Sequence, residues 1–500
     1  MRLSKQNLKH IVRRRGLITP PESVFALPEK VLQFGTGVLL RGLPDYFIDK
    51  ANRQGLFNGR VVVVKSTAVG SASEFEQQDN LYTLCVKGVE NGKLIEENII
   101  CSAISRVLSA ATEWQAILAC ARNPQIQIVI SNTTEVGLKL QIESITQNPP
   151  VSFPAKLLAV LKERFDHFQG AAERGLVIIP TELIPDNGNK LKSVLISLAE
   201  HNQLEKQFIQ WIQDHNKFCN SLVDRIVPGK PREQTVNDFQ NQFGYEDDLL
   251  TVAEVYRLWA IEGDETIRSV LSFESADEGV IIADDIEIYR ELKLRLLNGT
   301  HTLSCGVAFL AQMETVFDAM NNSIASGFIS DLMKNEIAPS IPYKITTEKE
   351  NAFSDSVLDR FRNSHIRHLW INITVQYSAK MKMRVLPVLL EHYRKYQTVP
   401  QRIAFGFAAW IVFMNVKRQE GGDYFGECKG KLYPIRDDQA AYFFNEWRQS
   451  GETGIVRAVL SNEEFFGTNL NLLPGFYEAV EKNLQSILRA GVIQSLSELS

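Results

Sequence analysis

The sequence predicts an α/β N-terminal domain built on a doubly wound, mostly parallel sheet, followed by an all-α C-terminal domain. Three observations carry this expectation. In the first half, short runs rich in β-branched residues alternate with longer runs of helical period. From about residue 275 onward only helical patterns recur with any strength. The 500 residues also exceed what one hydrophobic core usually fills, so two or more domains are expected.

The strand-like runs are VLQF (31–34), RVVVVK (60–65), QIQIVIS (125–131) and GLVIIP (175–180). They are largely continuous apolar runs, the mark of strands buried on both faces of a parallel sheet. EWQAILACAR and FPAKLLAVLKERFDHF lie between them and read as covering helices. After residue 275, DIEIYRELKLRLLNGTHTLSCGVAFLAQM, SDSVLDRFRNS, MRVLPVLLEHYRKY, QRIAFGFAAWIVFMNVKR, QAAYFFNEWRQ and GFYEAVEKNLQSILRAG read as helices. IAFGFAAWIVFM, about a dozen residues, is too short to span a bilayer and suits a buried core helix. PSIPYKITTEKENAFSD and EGGDYFGECKGKLYPIRDD read as polar loops. The expected organisation is an N-terminal extension over 1–27, an α/β domain over 28–275 and a helical domain over 276–500. The extension is basic but lacks the apolar stretch of a secretory signal, and reads as a solvated tail.

Composition narrows the function classes. A net charge of −5 argues against nucleic acid as the main partner, since phosphate binding rests on a basic surface. No membrane span is expected. The six cysteines, Cys85, Cys101, Cys120, Cys219, Cys305 and Cys428, are scattered without a C-x-x-C. Neither a disulfide framework nor a structural zinc site is expected, and the cytoplasm is the expected compartment. Monomer and homo-oligomer are both left open.

The run VLQFGTGVLLRG passes from a strand through Phe34, Gly35, Thr36 and Gly37 straight into a helical pattern. That is the first βα turn of a Rossmann-type domain. Glycine permits the tight turn and the close approach of a pyrophosphate, and the helix N-terminus offers amide donors. Leu40 occupies the place of the third fingerprint glycine, and Gly42 follows two residues later. At the end of the next strand, where an NAD enzyme usually carries an acid for the ribose hydroxyls, stand Lys65, Ser66 and Thr67. Lys65 suits a 2′-phosphate or is a solvated strand-end lysine, so NADP stays open beside NAD.

ELKLRLLNGTHTLSCG (291–306) sets a lysine in an apolar helical stripe. With about 100° of turn per residue, Asn298 falls about 140° and His301 about 80° from Lys293. Leu296, Leu297, Thr300, Ser304, Val307 and Ala308 share the lysine's face, while Glu291, Arg295 and Thr302 point the other way. Desolvation in such a stripe disfavours an ammonium, and an amine so placed can exchange a proton with an alcohol or carbonyl oxygen. An amide such as Asn298 can donate to the same oxygen as charge develops on it. The bland alternatives are a snorkelling lysine and a core histidine.

The spacing K-x4-N-x2-H, after a Rossmann-type half and before a helical one, resembles the polyol-specific long-chain dehydrogenases of the mannitol dehydrogenase family. The resemblance runs from about Val31 to the C-terminal helices. It implies that Lys293 is the general acid/base, that Asn298 polarises the reacting oxygen and that His301 contacts substrate. It implies NAD(H) over the glycine turn, with the nicotinamide near Ser131 and Asn132, and no metal; no His/Glu cluster with ligand spacing is present in the sequence. FCNSLVDRIVPG (218–229) resembles a family stretch that places Asp224 at the substrate pocket, although an ion pair with Arg225 is the plainer reading. PTELIPDNGNKL (180–191) resembles a segment whose substrate-binding asparagine falls at Asn187, with Glu182 where the family has aspartate.

Those departures resemble members acting on a sugar acid, whose carboxylate needs a cation. SAKMKMR supplies Lys380, Lys382 and Arg384. Positions i and i+4 share a helix face, which pairs Lys380 with Arg384. A related sugar or sugar acid is the alternative substrate. A non-catalytic NAD(H) sensor is the alternative of another class, and it gives Lys293 no role.

Overall fold

The computed structural model describes residues 1–11, 16–66, 72–133, 135–231 and 233–499. Thr67, Thr134 and the basic residues Arg13, Arg14 and Arg15 lie outside them. The chain divides into two compact units, Met1–Lys87 with Leu94–Ile286 and Gly88–Lys93 with Glu287–Ser500.

In the first unit six strands form one sheet: β1 (Glu29–Phe34), β2 (Arg60–Lys65), β3 (Ile104–Ser109), β4 (Ile128–Ser131), β5 (Val177–Pro180) and β6 (Lys217–Phe218). Their order is β3-β2-β1-β4-β5-β6, and every neighbouring pair is parallel. The chain runs outward from β1 to β3, then returns to the other side of β1 at β4. The strand order reverses there, which in such sheets marks the ligand crevice. The apolar runs divide by the two-residue period of a strand. Leu32, Phe34, Val62 and Val64 enter a core closed by helices Trp114–Ala121, Phe153–His167, Asn187–His201 and Lys206–His215. Val31, Val61 and Val63 enter another, with Phe47, Trp259 and Phe273. Removing each such side chain from water contributes about 2 kcal/mol.

The sequence did not reveal β3 or β6, nor two further sheets. One has the order Leu17–Ile18, Lys93–Cys101, Tyr82–Glu90, Thr251–Glu254; the other is Ser221–Asp224, Leu258–Glu262, Val280–Ala283. Two boundaries are corrected. Residues 1–27 are not a solvated tail: Leu3 and Ile11 are buried with Leu81, Phe239 and Tyr245, and Leu17–Ile18 pairs with Asn98–Ile99. The first unit also extends past residue 275, because Val280–Ala283 pairs in parallel with Trp259–Glu262.

The second unit is mainly helical. Its helix Gln401–Phe413 contains the run read as a buried helix, and most of its side chains are enclosed. Helix Thr300–Leu310 packs against it at Gly306, where a Cβ would stand 2.8 Å from the Tyr377 hydroxyl and 3.2 Å from the Ala409 carbonyl oxygen. The expectation of an all-α domain is corrected over 416–435. There Val416–Glu420, Asp423–Cys428 and Lys431–Ile435 form an antiparallel meander. The other supposed loop, 339–355, contains the start of helix Thr347–Phe361. Three stretches, Lys293–Gly299, Leu332–Ile337 and Met381–Val385, are π-helical. Among the described residues no helix is long and apolar enough to cross a membrane.

Candidate active site

The first candidate region is the C-terminal edge of the parallel sheet. After β1 the chain turns at Gly35 with φ +129°, and a Cβ there would meet Leu40 Cδ1 at 2.9 Å and the Asn132 carbonyl oxygen at 3.1 Å. Only glycine takes that turn without strain. The Gly35 amide donates to Val64 O (3.0 Å) and the Asn132 amide to Phe34 O (3.2 Å), tying three strand ends together. Thr36 is half-buried. Gly37 is exposed, opens helix Val38–Gly42 and has no atom within 4 Å of where its Cβ would be. The turn is therefore a cradle with open ground at Gly37, and it fits a pyrophosphate at the strand-order reversal. Gly42 serves the close packing usually left to the third glycine: a Cβ there would lie 2.8 Å from Val227 Cγ2, and its carbonyl accepts from Arg225 Nη1 at 2.6 Å.

Beyond β4, Ser131 Oγ donates to Glu182 Oε2 at 3.2 Å, and the Thr133 amide donates to Glu182 Oε1 at 2.8 Å. Burial pushes the Glu182 carboxyl up, against the pull of those donors. Asn132 Nδ2 donates to Thr181 O (3.2 Å) and Oγ1 (3.0 Å). Lys65, at the end of β2, is only 7% exposed, so the reading of a solvated strand-end lysine is corrected.

Asn187 requires a correction as well. It has no accessible surface. Its Nδ2 donates to Pro180 O (3.0 Å), Glu182 O (3.0 Å) and Ser221 O (3.1 Å), while its Oδ1 accepts from the Gly188 and Ser221 amides, both at 2.9 Å. The amide is committed to the backbone and has no reach toward a substrate. Asp224 is buried at the end of its strand and has a partner. The neighbouring Arg225 donates to Glu254 O at 2.9 Å and to Gly42 O, and lies over the Tyr46 ring at 4.6 Å.

The second region lies in the helical unit. Lys293 and Asn298 begin and nearly end a π-helical stretch, in which hydrogen bonds span five residues. Positions five apart then lie one above the other, so Asn298 shares the lysine's face rather than standing about 140° away as in an α-helix. Both are half-buried, which corrects the expectation that the stripe encloses Lys293. Thr302 Oγ1 donates to Asn298 O at 2.7 Å and accepts from Arg384 Nη1 at 3.3 Å.

His301 stacks on Phe361 (centroids 4.3 Å, 18°) and meets His368 (5.0 Å) and Trp370 (5.9 Å) edge-on. Burial, reinforced by nearby His368, Arg360, Arg384 and Lys380, holds the imidazole pKa well below its usual value. The ring is neutral at pH 7, and its Nε2 is buried without a partner. That is unlike a satisfied core histidine.

Of the three basic residues at 380–384, Lys382 turns outward over the Phe465 ring at 5.4 Å. Lys380 Nζ donates to Ile373 O at 2.8 Å, and burial together with the Arg384 charge lowers its pKa. Burial also lowers Arg384, whose Nε has no partner. Lys380 and Arg384 thus both act on His301 electrostatically. Among the described residues no three His, Cys, Asp or Glu side chains gather as a metal site, and all six cysteines are free.

Residues 29–274 match the Mannitol dehydrogenase Rossmann domain, and residues 285–488 match the Mannitol dehydrogenase C-terminal domain. The chain belongs to the mannitol dehydrogenase family. Within that family it is 36% identical over 481 residues to an altronate oxidoreductase of Klebsiella pneumoniae (strain 342), covering 94% of this chain and 97% of that one. It is 35% identical over 483 residues to an altronate oxidoreductase of Shigella flexneri, with the same coverage. Two solved structures share the fold at 22% identity. They are the Pseudomonas fluorescens mannitol 2-dehydrogenase ternary complex with NAD and D-mannitol (TM-score 0.66, 100% of this chain and 99% of that one) and substrate-free D-sorbitol dehydrogenase (TM-score 0.78, 99% and 100%).

As a mannitol dehydrogenase family member the protein is an oxidoreductase with a dinucleotide-binding first unit. Of the predicted residues, the structure gathers Phe34, Gly35, Thr36, Gly37, Ser131 and Asn132 at one sheet edge. It sets Lys293, Asn298, His301 and Arg384 along one helix and its neighbour, with Lys380 close by. Sequence reasoning missed Phe361, His368 and Trp370 around His301. It also placed Arg295 and Thr302 on an idle face, although both are buried and hydrogen-bonded.

Proposed function

We propose that the protein is an NAD(H)-dependent tagaturonate reductase of the cytoplasm, interconverting D-tagaturonate and D-altronate in hexuronate catabolism. The altronate oxidoreductases matched across 94% of the chain support the substrate class. The observation that carries the chemistry is a lysine and an amide on one face of a π-helical turn, beside a neutral histidine and two inward cations.

The dinucleotide is assigned to Phe34, Gly35, Thr36 and Gly37, with Ser131 and Asn132 at the nicotinamide end. When bound, NADH supplies a hydride to the substrate carbon. In reduction, Asn298 donates a hydrogen bond to the ketone oxygen, and protonated Lys293 delivers its proton there as negative charge develops. The ketone becomes an alcohol and Lys293 a neutral amine, which takes the proton back in oxidation. Neutral His301 meets a neighbouring hydroxyl through Nε2. Arg384 and Lys380 take the carboxylate, and the planar guanidinium of Arg384 suits its two oxygens. Asp224 is assigned to substrate binding in this reading. The oxygen's charge is managed by the amine and the amide, so no metal is needed.

The test is NADH oxidation with tagaturonate, fructuronate and fructose in parallel, repeated with NADPH because Lys65 stands where an acid would read the ribose. Tagaturonate is expected to be preferred by orders of magnitude. Preference for fructose, or cofactor binding without turnover of any of the three, overturns the proposal.

A further inference from the structure

Glu291 and Arg295 flank Lys293 two residues to either side, on the part of the helix that the sequence pattern leaves idle. Both are buried, at 8% and 6% exposure. Arg295 Nε lies 2.9 Å from Glu291 Oε2 and Nη2 lies 3.2 Å from Oε1, a two-bonded fork. A buried ion pair of this kind is weak evidence for stability, because desolvating both charges offsets their attraction. The remaining nitrogen shows what the pair holds. Arg295 Nη1 donates to Met383 O at 2.7 Å and to Arg384 O at 3.0 Å.

The chain around those carbonyls interrupts regular α-helical bonding. Met383 and Arg384 lie in the π-helical stretch Met381–Val385, and the next helix begins at Leu386 with Pro387 in its first turn. In an α-helix the Met383 carbonyl accepts from the amide four residues on, which is position 387, and proline has no N–H. Arg295 donates to that carbonyl from the neighbouring helix. The same residue that Arg295 grips by its carbonyl, Arg384, sends its guanidinium to Thr302 Oγ1 at 3.3 Å. Arg384 is thus held at backbone and side chain by two residues of the stretch that carries Lys293, Asn298 and His301.

We propose that Arg295, oriented by Glu291, is a positioning residue that sets the spacing between the proton-transferring amine of Lys293 and the carboxylate-binding guanidinium of Arg384. The inference rests on the roles given to those two residues above. Arg295 touches neither substrate nor cofactor and acts by fixing the π-turn of Arg384. Lysine in its place keeps the charge and one bond to Glu291, but a single ammonium does not reproduce the fork and the two carbonyl bonds together.

Steady-state kinetics of Arg295→Lys with NADH and tagaturonate tests this. The expected result is a KM for tagaturonate raised about tenfold, with kcat and the Kd for NADH near wild type. The paired variant Glu291→Leu/Arg295→Met removes both buried charges together and fills the space, so neither charge is left buried alone and the variant is expected to fold, with the same rise in KM. Wild-type KM in the folded paired variant overturns the positioning role. A parallel loss of kcat and stability in Arg295→Lys with KM unchanged overturns it also, since a merely structural role predicts that. Absence of turnover in the wild-type enzyme overturns the substrate assignment, and the inference with it.

Discussion

Asp45 gives a prediction whose size follows from its surroundings. It lies in the first turn of helix Pro44–Arg53 with no accessible surface, and Gln33 Nε2 on β1 donates to its Oδ2 at 3.2 Å. Burial pushes its carboxyl from 3.8 to about 7, against the pull of Gln33 and Arg41. Asp45 Oδ1 and Gln33 Oε1 both lack a partner, and a proton on the carboxyl supplies a donor where two acceptors stand idle. In the unfolded chain Asp45 titrates near 3.8. Between that value and about 7 the folded chain binds a proton that the unfolded chain has lost. Stability therefore falls as pH rises through this window and is flat above it. At 1.36 kcal/mol per pH unit the part of the window between pH 5 and 7 corresponds to about 3 kcal/mol. Asp45→Asn keeps the shape and cannot ionise. Urea unfolding of wild type and variant at pH 5, 6, 7 and 8 isolates the effect, because the other titrating groups are common to both. The variant is expected to gain on wild type by about 3 kcal/mol between pH 5 and 8, mostly below pH 7. A difference that stays constant over that range refutes a protonated Asp45.

Three further substitutions test the glycine turn and the basic run at 380–384. Gly35→Ala forces a Cβ to within 2.9 Å of Leu40 at a positive φ; strain of about 1–3 kcal/mol is expected to weaken NADH binding tenfold or more in a fluorescence titration, and an unchanged Kd contradicts the cradle. Arg384→Met removes a charge-assisted bond worth about 1.5–3 kcal/mol, so the KM for tagaturonate is expected to rise at least tenfold. Lys382→Met, whose ammonium lies over Phe465, is expected to leave KM unchanged; equal effects of the two substitutions contradict the assignment of the inward cation.

Much of the sheet was legible because VVVV in β2 and IVIS in β4 have no polar face to show. The strand-order reversal at β1 follows once those runs are counted with their helices. β6 is two residues long and β3 mixes polar with apolar residues, so neither stands out from its neighbours. The meander at 416–435 is solvated on most of its surface, and its first strand buries only Val416. Its turns at Gly421-Gly422 and Lys429-Gly430, all at positive φ, were the available signal.

In the helical unit, Lys293, Asn298 and His301 were singled out from their spacing, but their mutual placement was not legible. A wheel of α-helical pitch cannot anticipate a π-turn. It also assumes one wet face, whereas the helix is enclosed nearly all round, which hid Arg295. Asn187 shows the converse limit: its residue type suits a substrate contact, and only the backbone groups around it show that its donors are taken.

The central claim is that Lys293 transfers the proton. Its most direct test is turnover of tagaturonate by Lys293→Ala alongside a titration of NADH binding. With proton transfer by Lys293, kcat/KM of the variant is expected to fall by about a hundredfold to ten-thousandfold, with NADH held as tightly as by wild type. Turnover within a few-fold of wild type would contradict it.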